Sequence, residues 1–265
     1  MIRIAVNGVC GRMGARVAAL VFEDPELKLV AAMERSGHQS LDKDVASVAG
    51  CGETGIKITT TLNTHADVLI DFSSPESTVL IAEVCAKKNI ALVAGTTGLN
   101  PQQHERIQHF SKSIPCLISP NMSVGVNVMF NLVAQVSKMM GEEFDIEIIE
   151  THHRFKKDAP SGTALRLAEK ICESTGRKMD KDIIYGRSGI IGERPMNQIG
   201  IHAVRSGDVV GDHTVVFGGL GERIEITHKA HTRDTFARGA VRVAKFIAQK
   251  SPGVYTMSDV LQIQS

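Results

Sequence analysis

Compact apolar runs and amphipathic stretches alternate through the first half of the chain. Ile2–Val6, Leu27–Met33, Val68–Phe72, Ile90–Ala94 and Cys116–Ile118 have the length and β-branched character of buried strands. Gly11–Glu23, Pro75–Lys88 and Pro101–Ser111 fall between them with helical spacing of their apolar positions. The last two open with proline, whose missing N–H does no harm at a first helical position. This rhythm predicts an α/β fold, a Rossmann-like doubly wound parallel sheet with right-handed crossovers. Ligands of such sheets sit at the carboxyl ends of the strands.

The pattern changes after Asn121-Met122-Ser123-Val124-Gly125. A long helix near Asn127–Met140 leads into the alternating strand Phe144–Glu150, and a helical run covers Ala164–Cys172. The later strand candidates Ile199–Val204, His213–Phe217 and Arg223–His228 are separated by glycine-rich turns, as in a mixed or antiparallel sheet. A smaller α+β domain is therefore expected here. Gly176–Met196, rich in Gly, Lys, Arg and Asp, reads as a loop excursion. The helix Thr232–Gln249 is placed to return to the first domain, which predicts a dinucleotide-binding domain of residues 1–122 and 232–265 interrupted by a substrate domain of residues 123–231.

At 265 residues, two domains with sizeable cores are the expectation. With 30 basic and 29 acidic residues the chain has no general field for nucleic acid or acidic membranes, so an anion site must be local. Met1 leads straight into the first strand, and no 18-residue apolar span occurs; neither a cleavable leader nor a membrane span is expected. Cys10, Cys51, Cys85, Cys116 and Cys172 are scattered, with no C-x-x-C pair. They predict a reducing, cytoplasmic setting and neither a metal cluster nor a redox motif.

Two segments carry candidate chemistry. Val6-Asn7-Gly8-Val9-Cys10-Gly11-Arg12-Met13-Gly14 follows the first strand and opens the first helix, where glycines allow a tight turn and close approach to a pyrophosphate. Its spacing is G-x-x-G-x-x-G, with Arg12 available for a phosphate. Glu34 ends the second strand 20 residues beyond Gly14, where a carboxylate accepts hydrogen bonds from ribose hydroxyls, and Arg35 beside it suits a 2′-phosphate. Ala94-Gly95-Thr96-Thr97-Gly98 adds small residues and backbone donors after a later strand. The second segment is Glu150–Ala164, which sets His152, His153 and Lys156 just before a helix start at Pro160-Ser161-Gly162-Thr163. Imidazoles transfer protons near neutral pH, a lysine adds charge, and free N–H groups at a helix start hold a carboxylate or phosphate. His38, His65, His104, His109, His202 and His213 have no motif around them and are expected to be structural; His228 is left open.

The pattern E-x-H-H-x-x-K-x-D-x-P-S-G-T-A at Glu150–Ala164, with V-x-G-x-x-G-R-M-G at Val6–Gly14, resembles the 4-hydroxy-tetrahydrodipicolinate (dihydrodipicolinate) reductases of bacterial and plant lysine biosynthesis. Ala94–Gly98, Asn121–Asn127 and Gly221–Ala230 are similar too, so the resemblance spans essentially the whole chain. It implies reduction of a cyclic dicarboxylate imine to tetrahydrodipicolinate with hydride from NADH or NADPH. By motif position it implies that His152 is a general acid or base and Lys156 a proton donor and charge stabiliser, with His153, Gly162 and Thr163 binding substrate. It assigns the cofactor to Gly8, Val9, Cys10, Gly11, Arg12, Met13, Glu34, Arg35, Gly95, Thr96, Thr97, Ser119, Pro120, Asn121 and Met122. Cys10 and Met122 depart from the residues common at these places, which bears on cofactor preference. The resemblance also implies a homotetramer built through the second domain's sheet. A nucleotide sensor without turnover would need a broken proton-transfer set, and an aldehyde-forming dehydrogenase would need a nucleophilic cysteine.

Overall fold

A computed structural model describes residues 1–263 and divides the chain into two compact units, Met1–Val124 with the segment from Asp234 onward, and Gly125–Arg233. The junctions lie two residues beyond each expected one.

The first unit runs β1 (Ile2–Asn7), α1 (Arg12–Glu23), β2 (Leu27–Met33), α2 (Ala46–Ala49), β3 (Ile58–Thr59), β4 (Val68–Asp71), α3 (Pro75–Lys88), β5 (Ala91–Ala94), α4 (Pro101–Phe110) and β6 (Pro115–Ile118). The chain then continues through α5 (Val124–Met140), β7 (Asp145–His152), α6 (Gly162–Thr175), β8 (Ile183–Tyr185), β9 (Ile199–Arg205), β10 (Gly211–Gly218) and β11 (Arg223–Ala230). It closes with α7 (Asp234–Ile247), β12 (Gly253–Tyr255) and α8 (Met257–Leu261).

Seven parallel strands in the order β12-β6-β5-β4-β1-β2-β3 form the first sheet. β4 and β5 are buried along their whole length, as strands covered on both faces must be. Local sequence sets the helix ends. Ser74 caps α3 by accepting the Ser77 N–H, and Pro75 follows; Asn100 and Gln103 form a reciprocal capping box on α4. α7 buries Ala237, Gly239, Ala240, Val241, Val243, Ala244 and Ile247, joining the core beneath α1 and the sheet. Gly239 is required there: a Cβ would stand 1.8 Å from the Met122 carbonyl oxygen. A bidentate Arg16–Asp234 pair ties α1 to the start of α7 at 2.8 and 2.7 Å.

The second unit's sheet has the order β11-β10-β7-β9-β8 and is mixed. β10 runs antiparallel to β7 and β11, whereas β9 is parallel to β7 and β8. Ile146, Ile148, Ile199, Ile201, Val215 and Phe217 on one face pack with Met129 and Val133 of α5 and Leu167 and Ile171 of α6. On the other face Glu147 receives Arg187, Arg194 and His202 at 2.6–2.9 Å.

The segment read as a loop excursion, 176–196, contains β8, an edge strand of three residues. The strand expected to stop at Glu150 runs on to His152, which places that imidazole on the sheet.

Candidate active site

In the first unit the loops that follow β1, β2, β4, β5 and β6 all leave the carboxyl edge of the parallel sheet. Gly8 turns the chain with φ +74°, and its N–H and that of Val9 both donate to the Met33 carbonyl, at 3.0 and 3.1 Å. A Cβ on Gly8 would lie 2.6 Å from the Phe72 carbonyl oxygen, and one on Gly14 would lie 2.1 Å from that of Gly8. These glycines let the turn lie flat against the sheet. α1 begins after Gly11 without a side-chain cap, and Arg12 beside it is exposed. An uncapped helix start with an adjacent arginine fits a pyrophosphate.

Glu34 stands where a ribose would be read. Its Oε2 accepts the Cys10 N–H at 3.1 Å and its Oε1 accepts the Arg35 N–H at 3.0 Å, while the Arg35 side chain is exposed. Val9 is fully buried in the core and Met122 nearly so, and the Val9 N–H is spent on Met33, so both pack the loops and neither presents a side chain to a ligand. Thr96 turns its hydroxyl inward, donating to Asp71 at 2.8 Å, and Thr97 is exposed. Phe72 lies over Gly95, where a Cβ would be 2.1 Å from the ring. After β6, Ser119 Oγ donates to the Asn121 carbonyl and Asn121 Oδ1 accepts the Ser123 N–H, shaping the turn through exposed Pro120.

Asp71 holds these loops together. It is fully buried and accepts from Asn7, Ser73, Thr78 and Thr96 at 2.5–2.8 Å. Four neutral donors take the place of a counter-ion.

In the second unit β7 delivers His152 with its side chain only 12% exposed and Nδ1 2.6 Å from Glu150 Oε2. Nδ1 is thereby committed, and Nε2 is the nitrogen left for proton exchange. Gly211 makes room for it: a Cβ there would stand 3.0 Å from Nε2. His153 and Lys156 lie in the same turn, joined by the Lys156 N–H to the His153 carbonyl at 3.1 Å. Lys156 Nζ sits between both oxygens of Asp158, at 2.9 and 2.8 Å. Gly162 and Thr163 form the first turn of α6, capped by Ser161 Oγ, which accepts the Ala164 N–H at 3.2 Å.

Glu150, Arg205, Ser161 and His213 complete this cluster. Burial would push the Glu150 carboxyl up, but hydrogen bonds from His152, Arg205 and Ser161 hold it at about 2. With no motif around it in the sequence, His213 is predicted to have only a structural role. It lies 4% exposed with its ring edge-on to His152, centroids 5.1 Å apart, and Nε2 3.0 Å from Ser161 Oγ. Burial and the neighbouring His152 lower it to about 3, so it is neutral at physiological pH. Sequence proximity gave no sign of His213 or Arg205; the register did, pairing His213 with Glu150 and Arg205 with His152 across neighbouring strands.

All five cysteines are free thiols, and burial raises each above the ordinary thiol value. None is an activated nucleophile of the kind an aldehyde-forming route needs.

A parallel doubly wound sheet with a glycine-lined helix start, joined in sequence to a mixed-sheet unit bearing a buried His-Glu-Arg cluster, is the architecture of a pyridine-nucleotide-dependent reductase family. The family models "Dihydrodipicolinate reductase, N-terminus" and "Dihydrodipicolinate reductase, C-terminus" match residues 2–122 and 125–261, and the chain belongs to that family. It is 46% identical to a 4-hydroxy-tetrahydrodipicolinate reductase of Syntrophus aciditrophicus and 48% identical to one of Citrifermentans bemidjiense, in each case over the full length of both chains. The fold matches a dipicolinate-bound dihydrodipicolinate reductase from Paenisporosarcina with TM-score 0.75 at 24% identity, covering both chains completely. An amine dehydrogenase from Mycobacterium smegmatis shares the fold more loosely, with TM-score 0.62 at 15% identity, over 97% of this chain and 95% of the other.

Proposed function

We propose that this chain reduces 4-hydroxy-tetrahydrodipicolinate to tetrahydrodipicolinate in diaminopimelate and lysine biosynthesis, using NADH or NADPH. The observation that carries the proposal is the Glu150-bound His152 beside the start of α6, a proton donor next to an anion cradle. The bound nicotinamide supplies hydride. Hydride addition to a conjugated imine leaves negative charge that a proton must quench, and His152 delivers that proton through Nε2. Lys156 stabilises the charge and donates a proton to the departing 4-hydroxyl, which leaves as water while a ring C–H proton is released to solvent, so the net demand is one hydride and one proton. His153, Gly162 and Thr163 hold the carboxylates of the small cyclic substrate, so the second unit acts as the substrate-binding and oligomerisation domain.

The cofactor is assigned to Gly8–Met13, Glu34, Arg35, Gly95–Thr97 and Ser119–Met122, with the pyrophosphate at the start of α1. Glu34 suits the ribose hydroxyls of NADH and Arg35 the 2′-phosphate of NADPH, so both cofactors serve. A homotetramer is supported by the second sheet's outer face, which carries Ile149 and Val204 at 39% and 43% exposure. Five free thiols suit a cytoplasmic enzyme. No helix among the described residues is long and apolar enough to cross a membrane.

Steady-state assays with both reduced cofactors and the cyclic imine, with and without pyridine-2,6-dicarboxylate, test the reaction and substrate class together. Turnover with the imine, blocked by the dicarboxylate, is expected. Cofactor binding without turnover would sink the proposal and leave a nucleotide sensor.

A further inference from the structure

Glu150 carries donors on both oxygens. Oε2 accepts His152 Nδ1 at 2.6 Å and Arg205 Nη1 at 2.8 Å; Oε1 accepts the Ser161 N–H at 3.0 Å and Arg205 Nη2 at 2.9 Å. One fully buried carboxylate therefore grips both the imidazole and the residue that caps α6. Arg205 locks it by a two-pronged bond and reaches past it, its Nη2 donating to the Asp158 carbonyl at 2.7 Å. Asp158 in turn holds Lys156. His213 bridges the same two parts from β10, against the His152 ring on one side and Ser161 Oγ on the other.

We propose that Glu150 and Arg205 are positioning residues that couple occupation of the anion cradle at the start of α6 to the proton-donating imidazole of His152. The inference rests on the reading of His152 as the proton-transfer group. Its physical basis is competition for backbone donors. Ser161 and Gly162 present successive N–H groups, and the first of them is spent on Glu150. A carboxylate bound at the Gly162 N–H draws that turn toward itself and loosens the Ser161 bond. Glu150 is then left to His152 and Arg205, and its hold on the protonated imidazole strengthens. Arg205 keeps the carboxylate from following the turn. Substrate binding thus readies its own proton donor.

The sharpest measurement is the proton resonance of His152 Nδ1–H in nitrogen-15-labelled protein, assigned with His152→Gln. Adding pyridine-2,6-dicarboxylate to the wild-type chain is expected to move it downfield, and Arg205→Met or Glu150→Gln to abolish that movement. Arg205→Met is expected to lower kcat about tenfold or more with the KM for NADH unchanged, and Arg205→Lys to recover part of the loss. An unmoved wild-type resonance at saturating dicarboxylate, its binding verified by calorimetry, would overturn the coupling even if both variants failed to fold. Wild-type kcat in a folded Arg205→Met would do the same. Full activity in His152→Gln would instead remove His152 as the proton donor, a separate failure that the resonance shift distinguishes.

Discussion

His152 and Lys156 stand in one turn of chain, yet their surroundings differ. His152 is buried against a carboxylate that fixes its tautomer, whereas Lys156 is paired with Asp158, whose side chain is 64% exposed. On the proposed assignment, a proton donor held this tightly acts in the transition state more than in binding. His152→Gln is expected to lower kcat by ~10²-fold or more with NADH affinity nearly unchanged, and Lys156→Met to do likewise. Stopped-flow turnover beside cofactor titration checks both, and intact kcat in the pair would remove their assigned roles. Arg35 has an exposed side chain at the end of β2, free to meet a 2′-phosphate; Arg35→Ala should weaken NADPH binding by at least ~10-fold while leaving NADH within about twofold. Equal losses in calorimetry would clear Arg35 of that task. His152, His153 and Lys156 were legible because their motif is contiguous. His213 and Arg205 were not, because they meet Glu150 only through strand register across 63 and 55 residues, and no local pattern records which strands pair.

At the scale of elements, the turn from β1 into α1 is tightly constrained backbone. Gly14 belongs to α1, yet its missing side chain matters to the strand behind it. Gly14→Ala puts a methyl 2.1 Å from the Gly8 carbonyl oxygen, and α1 must move away from the sheet to admit it. We expect a stability loss of about 1–3 kcal/mol and a weakened grip on both cofactors, read by chemical unfolding and by titration. An unchanged Kd for both would mean that the turn relaxes without disturbing the helix start. β4 and β5 were legible as unbroken apolar runs bounded by polar segments, and α3 and α4 from helical spacing and caps. β3, β8, β12 and α8 were not, having two to five residues each, too few to express a period. Their placement comes from neighbours: β12 pairs with β6 only because α7 has brought the chain back.

For the whole molecule, acid is the stress to which the second unit is most exposed. Glu150 and Glu147 are each held at about 2 against an ordinary value of 4.5, despite burial that opposes it, by His152 and Arg205 in one case and Arg187, His202 and Arg194 in the other. Their contribution is complete above pH 4.5 and drains away as pH falls toward 2; for Glu150 it is on the order of 3 kcal/mol. His213 acts earlier. Its folded value near 3 lies below the ordinary 6.5, so the unfolded chain takes up a proton first and stability falls as pH drops from 6.5 toward 3. His213→Asn should flatten the profile between pH 6.5 and 4.5 and leave the steeper fall below pH 4.5. An identical slope in urea unfolding of wild type and variant would assign that region to other groups, His228 first, since burial lowers it too.

The discontinuity of the first unit has a consequence for synthesis. When the ribosome has delivered residue 124, the nascent first unit still lacks α7, β12 and the Asp234 partner of Arg16. Its core cannot close until the entire second unit has emerged, so the half encoded first is completed last. A message broken near its end would therefore cripple the opening half of the protein, while the half encoded just before the break could already have folded.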